Sequence, residues 1–324
     1  MIPNSGIDLL QAKGYEVMVS PENRVLAKSE LIDFLKKDQY DAVLCLLTDK
    51  IDADVLDAAG KQCKIFANYA VGFDNVDLKT AADRGVMITN TPGVLTDSVA
   101  EHAVALMLSV AHRIPESDRF TRAGKYHGWE PMLLLGHDMS HKVLGIVGLG
   151  RIGSRVAHIA AAGFGMKVLY YDVKRAESFE QEFPVADNGA PQVEFRENPD
   201  MIFEQADVVS IHVPLLPTTR HMVDARKLGL MKKTAYLINT SRGPIVDEVA
   251  LVEALKNGTP HGAALDVYEN EPALAPGLAD LENVVLTPHT ASGTEETRQA
   301  MSVLAAQNII EALEGRIPPN VVKI

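Results

Sequence analysis

In the second half of the chain three polar residues each stand just after a short apolar run, and their types suit the transfer of a hydride and a proton. Arg242 lies in Ile238-Asn239-Thr240-Ser241-Arg242-Gly243, Glu271 in Leu265-Asp266-Val267-Tyr268-Glu269-Asn270-Glu271-Pro272, and His289 in Leu286-Thr287-Pro288-His289-Thr290-Ala291-Ser292. A guanidinium can offer paired donors to a carboxylate and an adjacent carbonyl, which fixes a 2-oxo acid and polarises the carbon that receives hydride. An imidazole can protonate the developing alkoxide, or accept the hydroxyl proton in the reverse direction. A carboxylate beside it orients the ring and favours its protonated form, as carbonyl reduction requires. Taken singly, Arg242 reads as a surface cation and His289 as a satisfied strand-end histidine. Three such groups at the carboxyl ends of strands, where open α/β sheets bind ligands, read instead as clamp, tuner and acid.

A source of hydride is written upstream. The apolar run 142–147 leads into Gly148-Leu149-Gly150-Arg151-Ile152-Gly153, a helical segment follows, and a second apolar run ends in Asp172. This is a G-x-G-x-x-G turn between strand and helix, with an acid about 20 residues on where a dinucleotide ribose would sit. Gly148 permits the tight turn, Gly150 the approach of a pyrophosphate, and Gly153 the close packing of helix on strand. The helix start offers unpaired N–H groups at Arg151 and Ile152 to the phosphates. A carboxylate at Asp172 repels a 2′-phosphate, so NAD(H) is expected over NADP(H), although Lys174 and Arg175 are cations close enough to hold that phosphate.

These residues need a scaffold, and the chain supplies one. Its 324 residues are 47% hydrophobic and 23% charged, an ordinary globular composition with length for two domains. The net charge of −12 carries no basic stripe, which argues against nucleic acid or an anionic membrane as partner and for a small-molecule substrate. Cys45 and Cys63 make neither a disulfide framework nor a metal motif, and no early segment resembles a signal peptide, so a cytoplasmic protein is expected. The longest apolar stretch, 100–111, is too short to span a membrane and reads as a buried helix. Short apolar runs at 17–19, 42–47, 65–67 and 86–88 alternate with helical segments such as 28–37. The alternation resumes at 143–147, 168–171, 208–213, 236–239, 263–266 and 284–286. Such alternation predicts two doubly wound parallel sheets of the α/β class. Long helical segments at 97–113 and 294–314 lie where the chain should cross between them. We therefore expect a discontinuous substrate domain, 1–95 with 290–324, into which a Rossmann dinucleotide-binding domain, 96–289, is inserted, with a ligand cleft at the crossings. Segment 177–199, polar and rich in proline, reads as a surface excursion.

Together, the segments at 148–153, 239–243, 265–272 and 288–292 resemble the D-isomer-specific 2-hydroxyacid dehydrogenase family. With Asn68-Tyr69-Ala70-Val71-Gly72-Phe73-Asp74-Asn75-Val76-Asp77 and Gly128-Trp129-Glu130-Pro131 the chain most resembles the glyoxylate/hydroxypyruvate reductase branch, over nearly its whole length. The resemblance implies that Arg242, Glu271 and His289 are catalytic, and its Glu-Pro pair selects Glu271 over Glu269. It implies a flavodoxin-like substrate domain, with the substrate bound by the Val71 and Gly72 amides, Arg242 and Ser292. Cofactor contacts are implied at Thr96, Gly148, Gly150, Arg151, Ile152, Gly153, Asp172, His212, Val213, Pro214, Thr219, Thr240 and Ser241. Asp266 would hold the nicotinamide carboxamide. No metal is needed, and His102, His137, His141 and His261 read as solvated or helix-packed rather than as ligands. The resemblance also implies a homodimer joined through the dinucleotide domains. Trp129 reads either as ordinary packing or, by resemblance, as a side chain reaching the partner's site. Leu95, Trp129 and Met132 are candidates for the substrate side-chain pocket.

Two departures stand out. Family members usually begin with a short apolar strand before the segment that is 2–10 here, and the sequence shows none, so an unusual small sheet or a displaced start is expected. Nor does a regulatory domain, common in phosphoglycerate dehydrogenases, follow the last helix. Competing readings are a D-lactate dehydrogenase or broad 2-oxo acid reductase with the same chemistry, and a dinucleotide-sensing, corepressor-like binding protein.

Overall fold

The computed structural model describes residues 2–185 and 191–323, and these divide into two compact units, Met1–Leu95 with Gly293–Ile324, and Thr96–Ser292. Both are built on parallel sheets, in the α/β class.

The first unit holds a parallel sheet of β1 (Ala42–Leu46), β2 (Ile65–Tyr69) and β3 (Met87–Thr89), in that spatial order. All five residues of β2 are buried, as expected of a central parallel strand covered on both faces. Helices Lys28–Leu35, Ala53–Ala59 and Leu78–Asp83 alternate with the strands, and Asp77 caps the last by accepting the Thr80 N–H at 3.0 Å. The long helix Glu295–Leu313 returns to this unit. A Cβ added at Gly6 would lie 2.3 Å from the Ser302 carbonyl oxygen, so helix Asn4–Ala12 and the returning helix touch through a residue without a side chain. Tyr69 Oη donates to the Arg298 carbonyl at 2.5 Å. The run at 17–19, expected as a strand, is not one: Met18 and Val19 are about half exposed, and no described strand pairs with the segment. Three apolar residues cannot form a strand without a neighbour to accept their ladder bonds.

Among the described residues the second unit carries seven parallel strands: β4 (Val143–Val147), β5 (Lys167–Tyr171), β6 (Val193–Phe195), β7 (Val208–Ile211), β8 (Tyr236–Asn239), β9 (Gly262–Leu265) and β10 (Val284–Leu286). Their order is β10-β9-β8-β7-β4-β5-β6, which reverses between β4 and β7. Such a reversal opens a crevice at the carboxyl ends of the strands. One face of the sheet packs Leu144, Ile146, Tyr170 and Ile238 against helices Thr96–Ala111 and Arg151–Phe164. The other packs Val147, Leu169, Val209 and Leu237 with Ile202, Phe203 and Leu251. Segment 177–199, expected as a surface excursion, contributes a short helix, Glu177–Glu180, and the edge strand β6, whose Val193 is buried; its residues 186–190 lie outside the described residues. Its three residues are Val-Glu-Phe, so the strand leaves little apolar signal in a polar stretch. Among the described residues no helix is long and apolar enough to cross a membrane.

Candidate active site

The second unit places the polar segments at the carboxyl ends of β4, β5, β7, β8, β9 and β10. After β4, Gly148 takes φ +97°, and a Cβ there would sit 2.8 Å from the His212 carbonyl carbon. At Gly153 a Cβ would lie 2.1 Å from the Gly148 oxygen, so the helix can seat on the turn only with glycine. The Gly150 position, by contrast, faces open space, with no atom within 4 Å of an added Cβ, and Gly150 caps helix Arg151–Phe164 without a side-chain acceptor. An open cradle in front of uncapped N–H groups fits a pyrophosphate. Asp172 is an acceptor for the backbone. Its Oδ2 accepts the Leu149 N–H at 2.7 Å and its Oδ1 the Val173 N–H at 2.6 Å, stapling the glycine turn to the end of β5. Arg175 is drawn to Glu180 at 2.7 Å, and Tyr170 Oη donates to the same carboxylate at 2.6 Å. The buried Thr240 hydroxyl has no protein partner, leaving a polar atom for a ligand.

The three candidate catalytic residues come together at the other end of the sheet's rim. His289 Nδ1 lies 2.9 Å from Glu271 Oε2, while Glu271 Oε1 accepts the Tyr268 N–H at 3.0 Å. Burial opposes ionisation of Glu271, but the His289 contact, the Tyr268 N–H and the nearby Arg242 charge outweigh it and hold the carboxyl below the usual carboxylate range. Glu269 is engaged elsewhere, 2.6 Å from His221 Nε2 and 3.5 Å from Arg220. His289 has φ 54°, a left-handed backbone that a bulky residue seldom adopts. Asp266 supports it: the Asp266 carbonyl accepts the His289 N–H at 2.9 Å, and its carboxylate accepts the N–H groups of Thr290 and Ala291, each at 2.8 Å, and the Thr287 hydroxyl at 2.6 Å. Burial opposes the Asp266 charge, yet His102 and these donors hold its carboxyl below the usual range. The Arg242 loop is shaped by buried Asn239, which accepts the Ser241 N–H and donates to the Arg242 carbonyl, each at 3.0 Å.

Other residues expected at the cofactor also lie in the second unit. Burial pushes the His212 imidazole down to about 4, so it is neutral near pH 7, and its Nε2 lies 2.8 Å from Ser210 Oγ. Thr219 Oγ1 donates to the Pro214 carbonyl at 2.6 Å and closes that turn, while Ser241 Oγ donates to the Val213 carbonyl. Thr96 opens helix Thr96–Ala111, and Ser292 ends the unit. Val71 and Gly72 belong to the first unit, after β2; their carbonyls accept from the side chains of Asn90 at 2.7 Å and Asn68 at 2.9 Å. Leu95 is buried there, whereas Trp129 and Met132 are 82% and 76% exposed, so Trp129 is not packed within its own chain.

His102, expected to be solvated or merely helix-packed, instead sits 3.2 Å from Thr287 Oγ1 and 3.4 Å from Asp266 Oδ1. Its role was hidden because it belongs to a helix remote in sequence, and no spacing rule links it to β9. Tyr268 was also missed; its Oη donates to the Thr287 carbonyl at 2.8 Å and ties β9's loop to β10's. His137 pairs with Tyr236 Oη at 2.7 Å, and His261 lies edge-on to both rings. Among the described residues no cluster of three His, Cys, Asp or Glu is arranged to hold a metal. Two hollows, of about 320 and 590 Å³, lie along helix Thr96–Ala111 rather than at the His289–Glu271 pair, and His102 and Thr287 wall the larger.

Comparison with known proteins gives this rim a context. The family model for the D-isomer specific 2-hydroxyacid dehydrogenase NAD binding domain matches residues 104–291. A glyoxylate reductase of Thermococcus litoralis is 45% identical over 325 residues, covering 99% of this chain and 94% of its own. A crystal structure of a Thermus thermophilus protein superposes with a TM-score of 0.89 at 41% identity, covering 100% of this chain and 98% of the other. The NADPH-dependent glyoxylate/hydroxypyruvate reductase of Sinorhizobium meliloti, solved with citrate, superposes with a TM-score of 0.82 at 30% identity, covering 99% and 95%.

Proposed function

The chain belongs to the D-isomer-specific 2-hydroxyacid dehydrogenase family, within its glyoxylate reductase branch, and from that premise we propose that it reduces glyoxylate or hydroxypyruvate at the rim formed by Arg242, Glu271 and His289. The observation that carries the reading is the His289–Glu271 contact at 2.9 Å in a loop that also packs on the Arg242 segment. A reduced nicotinamide dinucleotide, when bound, supplies the hydride. Gly150 and the helix start behind it would hold its pyrophosphate, Asp172 its ribose, and Asp266 its carboxamide. Arg242 pairs with the substrate carboxylate and polarises the neighbouring carbonyl, assisted by the Val71 and Gly72 amides and Ser292. Glu271 anchors Nδ1, which leaves Nε2 of the same ring to deliver a proton to the developing alkoxide. His212, Val213, Pro214 and Thr219 wall the adenosine, with Thr96, Thr240 and Ser241 lining the rest of the cofactor's course.

NAD(H) is the preferred cofactor in this reading, because a carboxylate at Asp172 would repel a 2′-phosphate and Arg175 is held by Glu180. NADP(H) use would depend on Lys174. The protein is proposed to be a cytoplasmic homodimer. Exposed Ile114, Trp129 and Met132, with the apolar hollow beside the first of them, support the dimer, and the unpaired buried thiols of Cys45 and Cys63 suit a reducing compartment.

The test follows NADH and NADPH oxidation separately with glyoxylate, hydroxypyruvate and pyruvate. Turnover of the first two with NADH is expected. His289→Ala should lose most turnover while binding NADH normally, and unchanged turnover removes His289 from the mechanism.

A further inference from the structure

Glu248 opens helix Glu248–Lys256, yet it is 2% exposed, and its carboxylate does not serve its own helix. Oε1 accepts the Glu269 N–H at 2.5 Å and Oε2 the Ala275 N–H at 3.2 Å, partners 21 and 27 residues away. A carboxylate so deeply buried is costly unless it is fully used, and a hydrocarbon side chain would fill the space more cheaply. The groups it holds give it a use.

The Tyr268–Glu269 peptide is where the two halves of the site meet. On one side Gly243, next to Arg242, comes so close that an added Cβ would lie 1.8 Å from the Tyr268 carbonyl carbon. On the other, its Glu269 N–H is taken by Glu248, and the Tyr268 N–H of the preceding peptide by Glu271 at 3.0 Å. The two successive peptides joined at Tyr268 thus set the spacing between the substrate clamp and the partner of His289, and Glu248 grips the second of them together with the far end of the same loop at Ala275. Glu269 and Glu271 face Glu248; His221 and Arg220 balance the first, and His289 and Arg242 the second.

We propose that Glu248 is a positioning residue for the reaction, holding the loop that sets Glu271 against His289 and against Arg242. The proposal rests on the reading of the site given above. Its test compares Glu248→Gln, which keeps the volume but replaces one acceptor with a donor, and Glu248→Asp, which keeps the charge but withdraws it by one methylene. In both, kcat with the oxo acid should fall by about tenfold or more, since small misplacements in an oriented site are expensive. NADH affinity by fluorescence titration should stay within about twofold, because the cradle at Gly150 does not depend on this loop. A second readout needs no substrate. The low-field proton resonance of the His289 Nδ1–H, assigned by its absence in His289→Ala, should be lost or move upfield in both variants.

Wild-type kcat in Glu248→Gln, where one of the two acceptors is gone, would show that the grip on the loop is not needed and would overturn the proposal. So would a wild-type resonance and wild-type kcat in both variants, a parallel loss of NADH affinity, or failure of both to fold, which would make Glu248 a stability residue. If the wild-type protein turns over none of the oxo acids, the functional reading fails while the resonance still decides the role of Glu248.

Discussion

Asp172 and Asp266 show how much a single carboxylate can hold in this protein. From sequence each was a ligand contact; in the structure each is first a backbone clamp. Replacing Asp172 by Ala should raise the ratio of NADPH to NADH use, because it removes the charge that repels a 2′-phosphate. It should also weaken NADH binding outright, because the Leu149 N–H loses its acceptor; parallel kinetics with both cofactors separate the two effects. Asp266→Asn would set an amide N–H₂ against donors and should destabilise the fold by about 1–3 kcal/mol in chemical denaturation. The sign of its pH dependence follows from the lowered carboxyl. A depressed folded value contributes stability fully present above the unfolded value of about 3.9, lost as pH falls through the lower folded value. Asp266→Asn should therefore flatten the acid side of the stability profile, and an unchanged slope would remove Asp266 from that linkage.

At the scale of elements, what the sequence revealed depended on whether the signal was local. The strands of the larger sheet stood out because parallel strands covered on both faces are near-continuous apolar runs. Glycines and polar residues after those runs marked the rim for the same reason: a strand end and its following turn are adjacent in sequence. Val17–Val19 misled because a run of three apolar residues says nothing about whether a partner strand exists. β6 escaped because Glu194 interrupts its apolar run, whereas the other edge strand, β10, is apolar throughout. The contacts that shape the site were invisible for a different reason. Glu248 on its helix, His102 on another and Tyr268 on a loop converge only once the sheet is assembled. Gly243 illustrates the point, since its need for glycine comes from the approach of Tyr268. Gly243→Ala should force the Arg242 loop off that peptide and lower kcat/KM for the oxo acid by about a hundredfold. Equal losses in oxo-acid use and NADH affinity would instead point to general disruption of the rim.

For the whole molecule, the lone tryptophan is a useful reporter. Trp129 is 82% exposed, with Ile114, Tyr126, Met132 and Leu135 exposed nearby in sequence. If the chain dimerises through this stretch, Trp129 emission should shift to shorter wavelength as protein concentration rises, with the midpoint matching the monomer–dimer transition in sedimentation. Emission independent of concentration, with a monomeric sedimentation profile, would contradict the homodimer.

The Gly6–Ser302 contact carries a consequence for how the protein is made. The first unit's opening helix and its buried β2 rest on a helix that begins only at Glu295. A ribosome therefore releases the first unit's early strands long before their covering helix exists, whereas Thr96–Ser292 has all of its parts beforehand. In released chains truncated after Ser292 the inserted unit should be protease-resistant, with the earlier residues still digestible. In the order of birth, the part written first would be finished last.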